Sequence, residues 1–172
     1  MKKIATTFCL IFGGINFAAS ACTGISLFAK DGSYIQGRTI ENAQLELPSY
    51  YVIIPQGKEL TSYTPTGKNG ISFKVKYGVV GLSVVKEEFI AEGINEAGLS
   101  CGLFFFPNYG SYVTYDEKEN SRSLGDLQVN QWILSQFATV EEVIKNIDNV
   151  RIIGLDKTAV VHWRIGDKSG RQ

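Results

Sequence analysis

The sequence predicts an α+β fold in which antiparallel β-sheets are covered by helices. From residue 22 onward, several short segments alternate apolar and polar side chains, as at Ile71, Phe73 and Val75, and this period of two is typical of half-exposed strands. Two segments with helical spacing follow these strands, and one more alternating segment comes last. This order of strands, then helices, then a strand indicates antiparallel sheets and not alternating βαβ units.

Individual elements can be placed from the same patterns. The predicted strands are 22–29, 34–40, 50–54, 71–77, 79–85, 89–94, 99–106 and 159–165. The first helix, 124–137, carries Val129, Trp132 and Ile133 at helical spacing. Thr139 followed by Glu142 is a capping-box pattern and predicts the start of the second helix. Residues 55–70 are rich in Pro, Gly and Thr and predict a loop.

The first 21 residues predict a secretory signal peptide and not a part of the fold. Lys2 and Lys3 precede an apolar run over 4–17, and Ala19-Ser20-Ala21 has the small side chains of a signal peptidase site. The apolar run is too short for a transmembrane helix. We therefore expect a secreted or periplasmic protein whose single domain, or part of a domain, spans 22–172.

Cleavage after Ala21 would make Cys22 the first residue and would give it a free α-amino group. Such an amine has an ordinary pKa of about 7.7–8.0 and a free thiol one of about 8.5, so the amine can act as a general base for the thiol of the same residue. A nucleophile of this kind needs no histidine. Cys22 is therefore the candidate nucleophile.

Other interpretations of the cysteines and of the histidine stay open at this point. An oxidising compartment allows a disulfide between Cys22 and Cys101. Against it, Cys101 lies in an apolar predicted strand, where a buried free thiol is ordinary. His162 is the single histidine of the chain; it alternates with its neighbours on the last predicted strand, which favours a structural role over a Cys-His pair.

The first two strands give a geometric expectation for the surroundings of Cys22. A two-residue turn at Asp31-Gly32 would place Glu41 opposite Cys22 and Arg38 on the other face of the hairpin. A slip of one residue would instead put Arg38 beside Cys22. Arg38 could stabilise a thiolate or bind a substrate carboxylate, and Glu41 could orient the amine. A plain cross-strand ion pair would explain the same two side chains.

Composition limits the classes of partner. Lys+Arg and Asp+Glu both number 17, so a formal net charge of zero gives no reason to expect a nucleic acid or an anionic membrane surface. We expect no metal and no cofactor, and a small-molecule amide as the partner. Exposed sheet edges make self-association into a homo-oligomer an expectation as well.

Several stretches together resemble the choloylglycine hydrolase family, which contains bile salt hydrolases and penicillin V acylases. They are the run from Cys22 to Glu41, the run from Glu92 to Leu103, the segment Phe106-Pro107-Asn108-Tyr109, the helix around Trp132 and the run from Val161 to Gly170. This resemblance implies the four-layer αββα sandwich of the N-terminal nucleophile hydrolases. It also implies linear amide hydrolysis by Cys22, with Arg38 as the arginine of the site.

The resemblance carries departures as well. Glu41 stands where many members have aspartate, and Phe105 stands where bile salt hydrolases usually place an oxyanion-hole asparagine, so that a backbone N–H would have to serve. The expected substrates are glycine- or taurine-conjugated bile acids, with penicillin V as the alternative. The aromatic candidates for a substrate-binding pocket wall are Phe104, Phe105, Phe106 and Tyr109.

Two further interpretations remain. Family members are longer than this chain and carry a further site asparagine and arginine beyond the region that matches Gly170, so we expect an incomplete sandwich, or a remnant that folds with a partner chain. A cysteine after small residues also describes a lipoprotein, in which Cys22 would be acylated and would anchor the chain to a membrane. Ala19, three residues before Cys22, is smaller than the residue that lipoprotein signals prefer.

Overall fold

Strands dominate the part of the chain that this computed structural model describes, namely residues 22–41, 46–106, 110–156 and 160–172. The strands are β1 (Gly24–Phe28), β2 (Tyr34–Arg38), β3 (Ser49–Ile54), β4 (Glu59–Thr61), β5 (Ser72–Lys74), β6 (Val79–Val84), β7 (Ile90–Asn95), β8 (Leu99–Phe105), β9 (Ser123–Gly125), β10 (Arg151–Ile153) and β11 (Val161–Asp167). The α-helices are α1 (Val129–Gln136) and α2 (Val140–Asn146). The predicted α+β class is confirmed.

A five-stranded antiparallel sheet in the order β11-β8-β7-β6-β3 forms the centre of the fold. In β7 from Glu92 onward, after an irregularity in its pairing with β6, and throughout β8, the odd-numbered positions face the helices: a Cβ on Gly93 would lie 2.9 Å from Leu134 of α1. The even-numbered positions face the β1–β2 hairpin, as the hydrogen bond from Ser100 to Gln36 shows. Helices, central sheet and hairpin therefore form three successive layers in the described residues.

The hydrophobic core lies between the central sheet and the helices. Its fully buried members come from both layers and include Ile54, Val75, Val79, Ile90, Leu99, Cys101, Leu124, Val129, Ile133 and Leu134. Burial of such side chains contributes about 1.5–3 kcal/mol each, so this interface is the main source of stability. Because one face of the central sheet packs against the helices, its opposite face points toward the hairpin.

The first predicted helix is only partly correct. Over 124–137, strand β9 ends at Gly125 and a 310 turn spans Asp126–Gln128, so that α1 begins only at Val129. The cause is tertiary, because Ser123, Leu124 and Gly125 pair in parallel with β10. The second helix begins as predicted, since the Thr139 side chain accepts a hydrogen bond from the Glu142 N–H.

Three short strands, β4, β9 and β10, were not predicted. Each has three residues, which is too short for a period of two to appear in the sequence. Strand β4 lies inside the segment predicted as a loop and pairs with β5, and β10 pairs with β9. The last strand was predicted over 159–165 and is observed at Val161–Asp167, while 157–159 lie outside the described residues.

The predicted signal peptide, 1–21, also lies outside the described residues. Within the residues that are described, no helix is both long enough and apolar enough to cross a membrane. The described chain thus begins at Cys22, two residues before β1.

Beyond the hairpin, the face of the central sheet that points away from the helices is open and apolar. Tyr51 and Ile53 on the edge strand β3 are 91% and 76% exposed, and Val80, Leu82 and Ile94 continue the same surface. A groove of about 620 Å³ runs between this surface and the hairpin, with Glu92 among its lining residues. Contiguous exposed apolar surface beside an open strand edge favours association with a second chain.

Asp126 is a buried carboxylate at the junction of β9 and α1. Its Oδ1 accepts hydrogen bonds from the N–H groups of Leu127 and Leu155, at 3.0 and 3.1 Å. Burial raises the pKa of Asp126 to about 6, even though these two N–H groups act to lower it. The carboxyl group thus holds the loop after β10 through its hydrogen bond to Leu155, although burial disfavours its charged form.

The raised pKa of Asp126 predicts a specific dependence of stability on pH. Between the ordinary pKa of 3.8 and about 6, the folded state holds more protons than the unfolded state, so this group lowers the free energy of unfolding as pH rises. The loss across this window is about 3 kcal/mol. The free energy of unfolding, measured with urea, should therefore fall less between pH 4 and pH 7 in Asp126→Asn than in the wild type. The exposed Asp148→Asn variant is the control, and an unchanged loss in Asp126→Asn would contradict the assignment.

Candidate functional site

The β1–β2 hairpin places Arg38 on the same face as Cys22. Gly24 pairs with Arg38 and Phe28 with Tyr34, so the register differs by one residue from that of a two-residue turn. The loop holds three residues, Lys30, Asp31 and Gly32, and ends with Gly32 at φ +85°, in the left-handed region that favours glycine. The prediction that Glu41 lies directly opposite Cys22 is therefore wrong, and the one-residue slip is what the structure has.

The side chain of Arg38 is buried near the start of β1 and has contacts that fix its position. Its side chain is only 6% exposed, Nη2 donates a hydrogen bond to the Leu103 carbonyl, and the guanidinium lies 4.5 Å from the centre of the Phe104 ring. Burial lowers the pKa of Arg38, while Cys22 and Glu92 act to raise it again. Cys22 and Arg38 are thus close enough to interact electrostatically, as a stabiliser of a thiolate must be.

Both described cysteines are free thiols in different surroundings. Cys22 is half-buried at the beginning of β1, whereas Cys101 is fully buried on β8 and its Sγ donates to Asn130 Oδ1 at 2.7 Å. Burial raises the pKa of Cys101 well above its usual range. Cys101 is therefore an inert core residue, as its apolar strand predicted, and Cys22 is the more accessible of the two thiols.

Glu41 reaches the start of β1 through a threonine. Thr39 Oγ1 donates to Glu41 Oε1 at 2.8 Å and also accepts from the Thr23 N–H at 3.2 Å. Glu41 is thus linked to the residue that follows Cys22, and its side chain is exposed. The Glu41 carboxylate is therefore connected through Thr39 to the backbone next to Cys22.

The predicted aromatic residues divide between two faces of β8. Phe104 is buried on the Cys22 face, while Phe105 alternates to the other face and Phe106 follows the strand. His162 stacks on Phe104 with ring centres 5.5 Å apart and meets Phe106 edge-on at 5.0 Å. These contacts give the histidine a packing role. Tyr109 lies outside the described residues.

Two charged residues that sequence reasoning did not select also lie on this face. Glu92 of β7 approaches Arg38, with 3.8 Å between Oε2 and Nε. Arg164 of β11 lies 5.9 Å from the centre of the Phe104 ring, on which Arg38 also lies. Their only sequence signal is a charge within an otherwise apolar strand, which is usually a solvent-facing position.

The described residues contain no cluster of three or more His, Cys, Asp and Glu side chains that could hold a metal ion. The groups that the fold does gather are the half-buried thiol of Cys22, the buried guanidinium of Arg38 and the carboxylate of Glu41, linked through Thr39 to Thr23. A thiol beside a fixed cation is suited to nucleophilic attack on a carbonyl carbon.

Comparison with known proteins agrees with this chemistry. The profile of the family described as "Linear amide C-N hydrolases, choloylglycine hydrolase family" matches residues 22–172. A bile salt hydrolase/transferase of Clostridium perfringens is 27% identical over 157 residues, which are 87% of this chain and 46% of that protein. Another, of Lactiplantibacillus plantarum, is 28% identical over 100 residues, 54% of this chain and 30% of that protein.

Solved structures show the same relationship. A mutant conjugated bile acid hydrolase of Clostridium perfringens superposes with a TM-score of 0.72 at 27% identity, covering 87% of this chain and 46% of that one. Penicillin V acylase of Agrobacterium tumefaciens superposes with a TM-score of 0.71 at 25% identity, covering 85% and 43%. The chain spans about half the length of these relatives, and it belongs to the choloylglycine hydrolase family of linear amide C–N hydrolases.

Proposed function

We propose that Cys22, freed at the N-terminus by cleavage after Ala21, is the nucleophile of a secreted or periplasmic amide hydrolase. The observation that carries the proposal is the register of the hairpin, which places the buried Arg38 on the Cys22 face. The family match begins at the same cysteine. An N-terminal cysteine needs no partner histidine, which fits the packing role of His162.

The reaction follows from these groups. The α-amine of Cys22 takes the proton of the thiol, and the sulfur attacks the amide carbonyl carbon, so that a C–S bond forms and the carbonyl electrons move to oxygen. The C–N bond then breaks and the amine leaves with the proton. Water attacks the resulting thioester, releases the carboxylic acid and restores the thiol. Arg38 stabilises the thiolate that begins the sequence.

We infer that the substrates are bile acids conjugated with glycine or taurine. The support comes from two relatives, the bile salt hydrolase/transferases of Clostridium perfringens and Lactiplantibacillus plantarum, which are 27% and 28% identical to this chain. Penicillin V is the second candidate. It is favoured by the structural match to a penicillin V acylase.

The first test is the intact mass of the protein purified from its native host. We expect a chain that begins at an unmodified Cys22, because Ala19-Ser20-Ala21 fits an ordinary signal peptidase. A mass that includes acyl chains on Cys22 would make the protein a membrane-anchored lipoprotein and would overturn the nucleophile. A mass beyond that of residues 22–172 would show that the natural product is longer.

The second test is turnover by that same purified protein. Incubation with glycine and taurine conjugates of cholic acid and with penicillin V, followed by mass spectrometry of the released amines, separates the two substrate classes. Release of glycine or taurine supports the bile salt proposal, and release of the penicillin nucleus alone supports the alternative. Absence of all products with an unmodified Cys22 would contradict amide hydrolysis by this chain.

A further inference from the structure

Arg38 shares its aromatic platform with a second cation. The Arg38 and Arg164 guanidinium carbons lie 4.5 and 5.9 Å from the centre of the Phe104 ring. A Cβ on Gly24 would lie 2.8 Å from Arg164 Nη1, so this guanidinium packs directly against β1 two residues after Cys22. Both positive charges therefore belong to the immediate surroundings of the thiol.

Glu92 is the acidic group of this cluster. Its carboxylate rests against Gly102, where a Cβ would overlap it, and its Oε2 is 3.8 Å from Arg38 Nε. Burial raises the pKa of Glu92, and both Arg38 and Arg164 act to lower it. Glu92 and Arg164 are both register partners of Gly102 in the central sheet, so the carboxylate and the second guanidinium belong to neighbouring positions on one face.

The geometry leaves this cluster incompletely neutralised. Arg38 Nε, Glu92 Oε2 and both Nε and Nη2 of Arg164 are buried and have no hydrogen-bond partner among the described residues. A buried ionic group with incomplete hydrogen bonds contributes little to stability. Two cations and one carboxylate leave one net positive charge, which a thiolate at Cys22 would balance.

We propose that Glu92 and Arg164 are positioning residues that set the positive charge that Arg38 presents to Cys22. Glu92 offsets part of that charge, and Arg164 competes with Arg38 for the same carboxylate. The proposal concerns the site of the proposed hydrolase and rests on Cys22 being its nucleophile. The other titratable groups around the cluster are His162 on the Phe104 ring, Glu41 beyond Thr39, and Cys101 on the other face of β8.

The two residues should act with opposite signs. Arg164→Met removes one positive charge, so that Glu92 neutralises more of the charge of Arg38 and the thiolate of Cys22 is stabilised less. Cys22 should therefore react about three- to tenfold more slowly at neutral pH. Glu92→Gln removes the offsetting charge and should speed the reaction by a similar factor. The double variant should return close to the wild-type rate, and Arg164→Lys should retain it because the charge remains.

The experiment measures the thiol directly and needs no substrate. The full chain, processed and purified from the host that exports it, is alkylated with iodoacetamide from pH 5 to pH 10. Mass spectrometry of the peptide that begins at Cys22 gives the rate, and the Cys101 peptide reports any loss of folding. Glu141→Gln and Arg171→Met are the matched controls, because that exposed pair lies 2.5 Å apart beside α2. Neither control should move the pH profile of Cys22.

The outcomes separate the two proposals. If wild-type Cys22 is not alkylated at any pH, its thiol is blocked and both the nucleophile and the charge sharing fail. If it is alkylated but Arg164→Met and Glu92→Gln shift the profile in the same direction or not at all, only the charge sharing is overturned. If Arg164→Met does not fold, Glu92→Gln decides by its sign, since a slower reaction would overturn the proposal.

Discussion

Replacing Cys22 with alanine is expected to lower kcat/KM for amide hydrolysis at least about a thousandfold. The substitution removes the sulfur that forms the thioester, while Arg38 keeps its bond to the Leu103 carbonyl and its position over Phe104. Amine release by the purified, processed protein measures the change, and intact mass confirms that cleavage after Ala21 still occurs. Turnover retained by Cys22→Ala would exclude Cys22 as the nucleophile.

Cys101→Ala is the control for this result and should show the opposite pattern. Cys22 is half-buried and precedes β1 by two residues, so the free energy of unfolding of its alanine variant should lie within about 0.5 kcal/mol of that of the wild type. Cys101 is fully buried and bonded to Asn130, so its alanine variant should lose about 1–2 kcal/mol of stability and keep its activity. Urea unfolding and amine release on the same samples separate the chemical role of one thiol from the packing role of the other.

The fold was predictable where a pattern was long enough to be seen. The continuous apolar run of 79–85 predicted strand β6, which is observed at Val79–Val84, and the capping box predicted the start of helix α2, which is observed at Val140. Strand β9 and its partner β10 have three residues each, and their parallel pairing depends on chain segments far apart in sequence. A local sequence pattern carries no information about such a pairing. Residues 124–128 were therefore predicted as part of the first helix.

The candidate site shows the same division. The Asp-Gly turn predicted the hairpin that brings Arg38 to the Cys22 strand, but the register depended on whether the loop holds two residues or three. Glu92 and Arg164 lie on β7 and β11, which flank β8 in the central sheet. Only that strand order brings them together over Phe104, so their sequence positions gave no reason to connect them with Cys22.

Asn95→Ala is expected to lower the free energy of unfolding by about 3 kcal/mol. Asn95 is buried at the end of β7, and its Nδ2 donates to the carbonyls of Leu134 and Phe137 at 2.8 and 2.6 Å. Its Oδ1 accepts from the N–H groups of Ala97 and Leu99, both at 3.0 Å. Alanine would leave four backbone groups without these partners, two at the end of α1 and two in the turn before β8.

This loss matters for the site because Asn95 joins the helix layer to the strand pair that carries Glu92 and Phe104. Urea unfolding measures the change, and Asn149→Ala is the control, since Asn149 is exposed and donates one side-chain hydrogen bond to Asn146 at 3.2 Å. Asn95→Asp should also destabilise at neutral pH, because it keeps the two bonds to the turn but sets a carboxylate against two carbonyl oxygens. If Asn95→Ala unfolds within 0.5 kcal/mol of Asn149→Ala, the turn and the helix are held by apolar packing and not by this amide.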